Sequence, residues 1–204
     1  MTEPQWQPNP FRGQRVLHLG CGTRPIRGAV NHDRMRHGEF VDVAWDLDRM
    51  PWFVKGPVQV GDDGVAILSR PMPRTWDPDP FDVILALDLF EHLVDPYGAV
   101  NECWDLLRPG GLLIIRVSAY DNPATYADMT HKHWANEEAY DFFDRSTRMG
   151  GHYSTHHPVD SLGRLPTYWR IDGRDRVNPD DRWPDHGDWQ FTLVKLDAPV
   201  EVEA

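Results

Sequence analysis

The chain predicts an α/β fold, an open, doubly wound and mostly parallel sheet of seven strands ending in an antiparallel pair. Three observations carry that prediction. "RVLHLG" at 15–20, "FDVILALD" at 81–88 and "GLLIIRVS" at 111–118 are apolar runs bounded by turn residues, the pattern of strands buried on both faces. Between the second and third, Ala99, Val100, Cys103, Trp104, Leu106 and Leu107 fall near helical spacing before Pro109-Gly110-Gly111 breaks it, which makes a strand-helix-strand unit. Late in the chain, "TYWRIDG" at 167–173 and "DWQFTLVKL" at 188–196 alternate as half-buried strands do.

In chain order, the run at 15–20 supplies a central strand. "AVNHD" at 29–33 and "FVDVAWDL" at 40–47 each carry an acidic residue at or near the carboxyl end and extend the sheet to one side. The strands at 81–88 and 111–118 flank the first helix. "ANEEAYDFFDRSTR" at 135–148 reads as a second helix, and 167–173 with 188–196 as an antiparallel edge. Such a sheet takes its ligand at the carboxyl ends of its central strands.

Composition narrows the function. At 204 residues the chain is expected to form one domain over 1–204, and its net charge of -11, from 32 acidic and 21 basic residues, disfavours duplex nucleic acid. Cys21 and Cys103 alone offer no metal-ligand spacing and suit a reducing compartment. The amino terminus lacks a charged segment followed by an apolar one, and no apolar run approaches the roughly 20 residues of a membrane span, so a soluble, cytoplasmic protein is expected.

Four features stand in order at predicted strand ends: Gly20-Cys21-Gly22, Asp33, Asp46-Leu47 and Asp88. Glycines let backbone approach a ligand closely, and a carboxylate ending the second strand can accept both hydroxyls of a ribose. A dinucleotide would need a third glycine and a full helix facing its pyrophosphate; here position 25 is proline and the acidic residue comes too soon. A ligand with a ribose, an adenine and a charged amino-acid tail, but no phosphates, needs no such helix.

"LHLGCGTRPIRGAVNHD", "VDVAWDLDRMPW", "FDVILALDLFEHLVDP" and "LLRPGGLLIIRVS" resemble the class I S-adenosylmethionine-dependent methyltransferases, in particular the small methyltransferase-11-like group. The resemblance covers roughly residues 15–150 and implies a Rossmann-like methyltransferase fold, a methyl donor and no covalent intermediate. It places Gly20, Cys21 and Gly22 beside the methionine part of S-adenosylmethionine, Asp33 on the ribose, Asp46 and Leu47 on the adenine, and Asp88 and Leu89 under the sulfonium. It departs from the family at 53–80, an insertion, and puts the acceptor side at 119–166.

His131 and His133, in "MTHKHWANEEAYDFF", and His92, in "DLFEH", are the candidate general bases, since imidazole titrates near neutrality. The Asp-x-x-Glu-His spacing of Asp88, Glu91 and His92 is similar to a motif of metal-assisted O-methyltransferases; the preferred reading is a helix-start Glu and a packed His, with no metal. Histidines 152, 156 and 157 read as a solvated loop. The expected partner is a small polar acceptor, with the chain a monomer or homodimer and no membrane or duplex nucleic acid involved. Other readings are a noncatalytic S-adenosylmethionine-binding subunit, a metal-assisted O-methyltransferase, a nucleic-acid methyltransferase and, least favoured, a nicotinamide oxidoreductase.

Overall fold

Hydrogen-bond registers, more than helices, order this molecule. The computed structural model describes residues 3–52, 79–153, 161–163, 167–177 and 187–196. Its strands are β1 (Val16–Leu19), β2 (Val30–Asp33), β3 (Val43–Ala44), β4 (Phe81–Leu87), β5 (Leu107–Val117), β6 (Trp169–Val177) and β7 (Asp188–Lys195). They form one seven-stranded sheet in the order β3-β2-β1-β4-β5-β7-β6. Pairing is parallel from β3 to β5, and β7 is antiparallel to both β5 and β6.

The apolar runs dictate this centre. Leu17 pairs with Ile84, Ile84 with Leu113 and Leu113 with Leu193, so a row of fully buried aliphatic side chains crosses four strands on one face. Helix α1 (Pro96–Leu106) covers that face with Ala99, Val100, Cys103 and Leu106. Pro96 presets its first turn, and the Asp95 side chain caps it by accepting the Gly98 amide at 2.7 Å. Gly98 leaves room for the cap, because a Cβ would lie 2.5 Å from Asp95 Oδ2 and 2.6 Å from Met50 Sδ and would push both side chains aside.

The opposite face is thinner. Its cluster of Val16, Ile26, Val83 and Leu85, with half-buried Phe11, Leu87, Leu112 and Ile114, contains no helical residue. The seven-stranded, mostly parallel sheet ending in an antiparallel pair is the one expected, and its crossovers from β1 to β2 and from β2 to β3 carry no helix. Side chains close these crossovers instead. Asn31 accepts the Ile26 amide at 2.8 Å and donates to the carbonyls of Ile26 and Ala29, while its own amide donates to Asp42 at 2.8 Å.

Two expected elements are corrected. The strand expected over 40–47 shrinks to Val43–Ala44, because only His32 and Asp33 pair with it. The helix expected over 135–148 does not form. Residues 137–140 turn, Asp141–Phe143 make one 3-10 turn, and the later helix α3 is Arg148–Tyr153; a short α2, Pro123–Ala127, was not foreseen. Local side-chain acceptors win here: Asn136 Oδ1 takes the Glu138 amide, and Asp144 takes the Ser146 amide and hydroxyl and, with its other oxygen, the Ile171 amide.

The insertion at 53–80 lies outside the described residues except for its last two, and residues 154–160 of the acceptor side, with His156 and His157, lie outside as well. Both cysteines are buried and free. Among the described residues, no helix is long and apolar enough to cross a membrane.

Candidate functional site

The carboxyl ends of β1, β2 and β4 carry three of the four features, Gly20-Cys21-Gly22, Asp33 and Asp88, while Asp46-Leu47 follows β3. Gly20 leaves β1 at φ +64, a conformation that favours glycine, and a Cβ there would lie 3.0 Å from Leu89 Cδ1, which would have to shift. Gly22, at φ +52, donates its amide to Asp33 Oδ2 at 2.8 Å, and a Cβ on it would meet nothing within 4 Å. This glycine therefore presents backbone to open space. Asp33 Oδ1 accepts the Met35 amide at 3.0 Å and faces His37 Nε2 at 3.2 Å.

Buried His32 braces the loop from beneath. The Gly20 amide donates to its Nδ1 at 3.5 Å, which leaves Nε2–H to donate to the Trp45 carbonyl at 3.0 Å. Burial pushes the His32 imidazole down to about 4 and the neighbouring His18 imidazole to about 4, so both stay neutral near pH 7. The Cys21 thiol is pushed up to about 12, first by burial and then by Asp33 and Asp42, which removes it as a nucleophile.

A cleft of about 740 Å³ is lined by His18, Gly20, Cys21, Gly22, Asp88 and Arg116 among others. Asp88 ends β4 at φ +55, a conformation uncommon outside glycine, and Arg116 of β5 grips its carboxylate with two nitrogens, Nε at 2.7 Å. Asp46 stands apart from this cleft near Arg34 and Arg49, at 3.5 and 3.9 Å. Leu47 is buried in the core, and its carbonyl accepts Trp52 Nε1 at 2.8 Å. Leu89 packs on Gly20.

The candidate bases gather around Glu91. The His92 and His131 rings lie 4.7 Å apart, edge to face, and one acceptor atom from each of Glu91, His92 and His131 falls within 4.8 Å of the others. Asp88 is not in this group, being held by Arg116. Each imidazole is anchored at Nδ1, His92 to Thr130 Oγ1 at 2.9 Å and His131 to the Thr125 carbonyl at 3.0 Å. Burial, then His131, lowers the His92 imidazole below its ordinary value.

His133 lies instead on a second cavity, of about 660 Å³, over the α1 face. The Glu91 carbonyl fastens this loop by accepting the amides of Lys132 and His133 at 2.7 and 3.2 Å. Glu91 itself is 1% exposed, and its carboxyl is pushed up to about 7, mainly by burial, with Asp88 and Asp188 adding to the shift. The sequence reading took Glu91 for a helix-start residue and did not single out Arg116, His18, Tyr140 or Trp134.

Residues 4–165 match a family model described as a methyltransferase domain. The ubiquinone biosynthesis O-methyltransferase of Caulobacter sp. (strain K31) is 31% identical over 110 residues, covering 52% of this chain and 41% of that protein. The enzyme of the same name from Cereibacter sphaeroides (strain KD131) is 32% identical over 123 residues, covering 59% of this chain and 47% of that protein. The match thus spans less than half the length of these relatives. A chain in the complex of the Haloferax volcanii Trm112 methyltransferase activator with a methyltransferase superposes with a TM-score of 0.53 at 14% identity, covering 90% of this chain and 83% of that one. Phosphoethanolamine N-methyltransferase 1 of Haemonchus contortus, in complex with phosphoethanolamine and S-adenosylhomocysteine, gives 0.50 at 14% identity, over 94% of this chain and 41% of its own. At such identities the likeness is one of fold.

Proposed function

The chain belongs to the class I S-adenosylmethionine-dependent methyltransferases, and from that premise we propose that it moves a methyl group from S-adenosylmethionine to a small polar acceptor by in-line displacement. The acceptor atom is a hydroxyl, amine or carboxylate of a sugar, nucleotide or natural product. We read the whole of 1–204 as the one domain that does this.

The observation that carries the reading is the Gly22 amide on Asp33 Oδ2 at 2.8 Å, beside a glycine turn whose backbone faces open space. Most of the expected residues fit the group. Gly20, Cys21 and Gly22 would border its amino-acid end, Asp33 has acceptor capacity left for a ribose hydroxyl, and Asp88 with Leu89 would close the reacting side; Asp46, apart from the cleft, and Leu47, buried in the core, do not fit the adenine role expected of them. When bound, S-adenosylmethionine supplies an electrophilic methyl on a positively charged sulfur. The protein aligns the acceptor with that methyl and excludes water, and alignment alone accounts for a large share of such accelerations. Asp88, fixed by Arg116, keeps a negative group at the carboxyl end of β4.

His131, His133 and His92 are the groups available to take a proton from a hydroxyl or amine. His131→Ala and His133→Ala are each expected to lower turnover on the acceptor while S-adenosylhomocysteine affinity stays constant; equal loss of both would assign them a folding role. Titration calorimetry with S-adenosylmethionine, S-adenosylhomocysteine and NAD tests the reading itself. Binding of the first two and none of NAD is expected, and binding of neither adenosyl ligand would refute it. Binding without methyl transfer to any acceptor would favour a noncatalytic subunit.

A further inference from the structure

The cleft at the glycine turn holds a charge pair on one side. Among the described residues, its charged lining side chains are Arg24, Asp88 and Arg116, since burial keeps His18 neutral near pH 7. Asp88 and Arg116 are joined three times. The Asp88 amide donates to the Arg116 carbonyl at 2.9 Å, and Arg116 Nε and Nη2 each donate to one carboxylate oxygen, Nε at 2.7 Å. Bidentate pairs of this kind are geometrically specific as well as strong. Asp88 sits at φ +55, where a residue other than glycine persists only when its surroundings hold it.

The pair is open to a ligand. The Arg116 side chain is 17% exposed and that of Asp88 45%, and both face the cleft. Arg116 also feels the carboxyls of Asp188 and Glu91, but Asp188 accepts from Asn122 at 2.9 Å and Glu91 from the Ser118 amide at 3.3 Å, while the guanidinium donates to Asp88. Leu89, the residue after Asp88, packs on Gly20. A sulfur that joins an amino-acid chain at the glycine turn to a ribose at Asp33 therefore lies on the side of the cleft that this pair closes.

We propose that Arg116 is a positioning residue that offsets the charge of Asp88 at the sulfonium, and so sets how strongly the cleft distinguishes S-adenosylmethionine from S-adenosylhomocysteine. This rests on the methyltransferase reading and deepens it. The two ligands differ there by one methyl and one positive charge. A bare carboxylate would hold the sulfonium more tightly than the thioether, and more tightly than the transition state, in which the charge on sulfur is already fading as the carbon–sulfur electron pair returns to it. Stronger binding of the starting state does not speed the chemical step. A bare guanidinium would repel the donor instead. The pair does neither, and by holding both carboxylate oxygens Arg116 keeps Asp88 from turning one of them toward the sulfur.

Calorimetric titration of the full chain with S-adenosylmethionine and with S-adenosylhomocysteine gives the ratio of the two affinities. It is read in the unmodified chain, in Arg116→Gln, in Asp88→Asn and in the double variant. Arg116→Gln is expected to shift the ratio about fivefold toward S-adenosylmethionine and Asp88→Asn about fivefold toward S-adenosylhomocysteine, as one charge does at a half-exposed site. The double variant returns the ratio to within about twofold of the unmodified chain, because the two effects are coupled through one pair. Damage to the fold would weaken both ligands together and leave the ratio where it was. Where Arg116→Gln fails to fold, Asp88→Asn alone reads the sign. An unchanged ratio, or a shift of the opposite sign, in either single variant that folds overturns the proposal. Failure of both ligands to bind the unmodified chain overturns the methyltransferase reading beneath it.

Discussion

The two halves of the sheet are held together by different physics. From β4 to β7 the strands are long, α1 and a continuous apolar layer cover one face, and Leu113, Ile115, Phe191 and Leu193 are fully buried. From β1 to β3 the strands have four, four and two residues, and the crossovers are tied by Asn31, His32, Asp33 and Asp42 to neighbouring backbone. Apolar packing is insensitive to pH and shapes cavities; polar ties are directional and titrate. In the proposed reading the polar half holds the charged, hydroxyl-rich cofactor.

Substitutions and pH separate the two. Phe191→Ala should cost about 3–5 kcal/mol in urea unfolding, the largest effect expected of a single substitution, while the folded fraction keeps its S-adenosylhomocysteine affinity. A simultaneous loss of affinity would break the separation. Acid should act on the other half. His18 and His32 are held down to about 4 in the fold, so the unfolded chain binds more protons between the ordinary imidazole value and that point. Their stabilisation is present above pH ~6.5 and lost as pH falls toward ~4, on the order of 3 kcal/mol for each at the limit. Urea midpoints at pH 7.5 and 5 check this, and equal midpoints would contradict it. The smallest change, Asp33→Ala, should weaken S-adenosylhomocysteine by about 1–3 kcal/mol in calorimetry.

The apolar half was largely readable in the sequence, since "FDVILALD" and "GLLIIRVS" admit few placements other than central strands. The glycine turn after β1 was readable too, because its conformation depends on neighbours within one crossover. The helix expected at 135–148 misled because Tyr140, Phe142 and Phe143 suit a helical face as well as they suit three walls around one cavity. Only the side-chain acceptors Asn136 and Asp144 decide between these, and Asp144 does so by reaching Ile171, 27 positions away. Glu91 was visible as part of "DLFEH", but its burial follows from Ser118, 27 positions on, and from the 131–133 loop folding over it. No local pattern encodes that.

Amide hydrogen exchange with and without S-adenosylhomocysteine is the most direct test of the central claim, that the cofactor binds on the polar half at the glycine turn. Protection is expected at Gly20–Thr23 and around Asp88, with the β6–β7 edge unchanged. Protection confined to the aromatic cavity or to β6 and β7, with none at Gly20–Thr23, would contradict it.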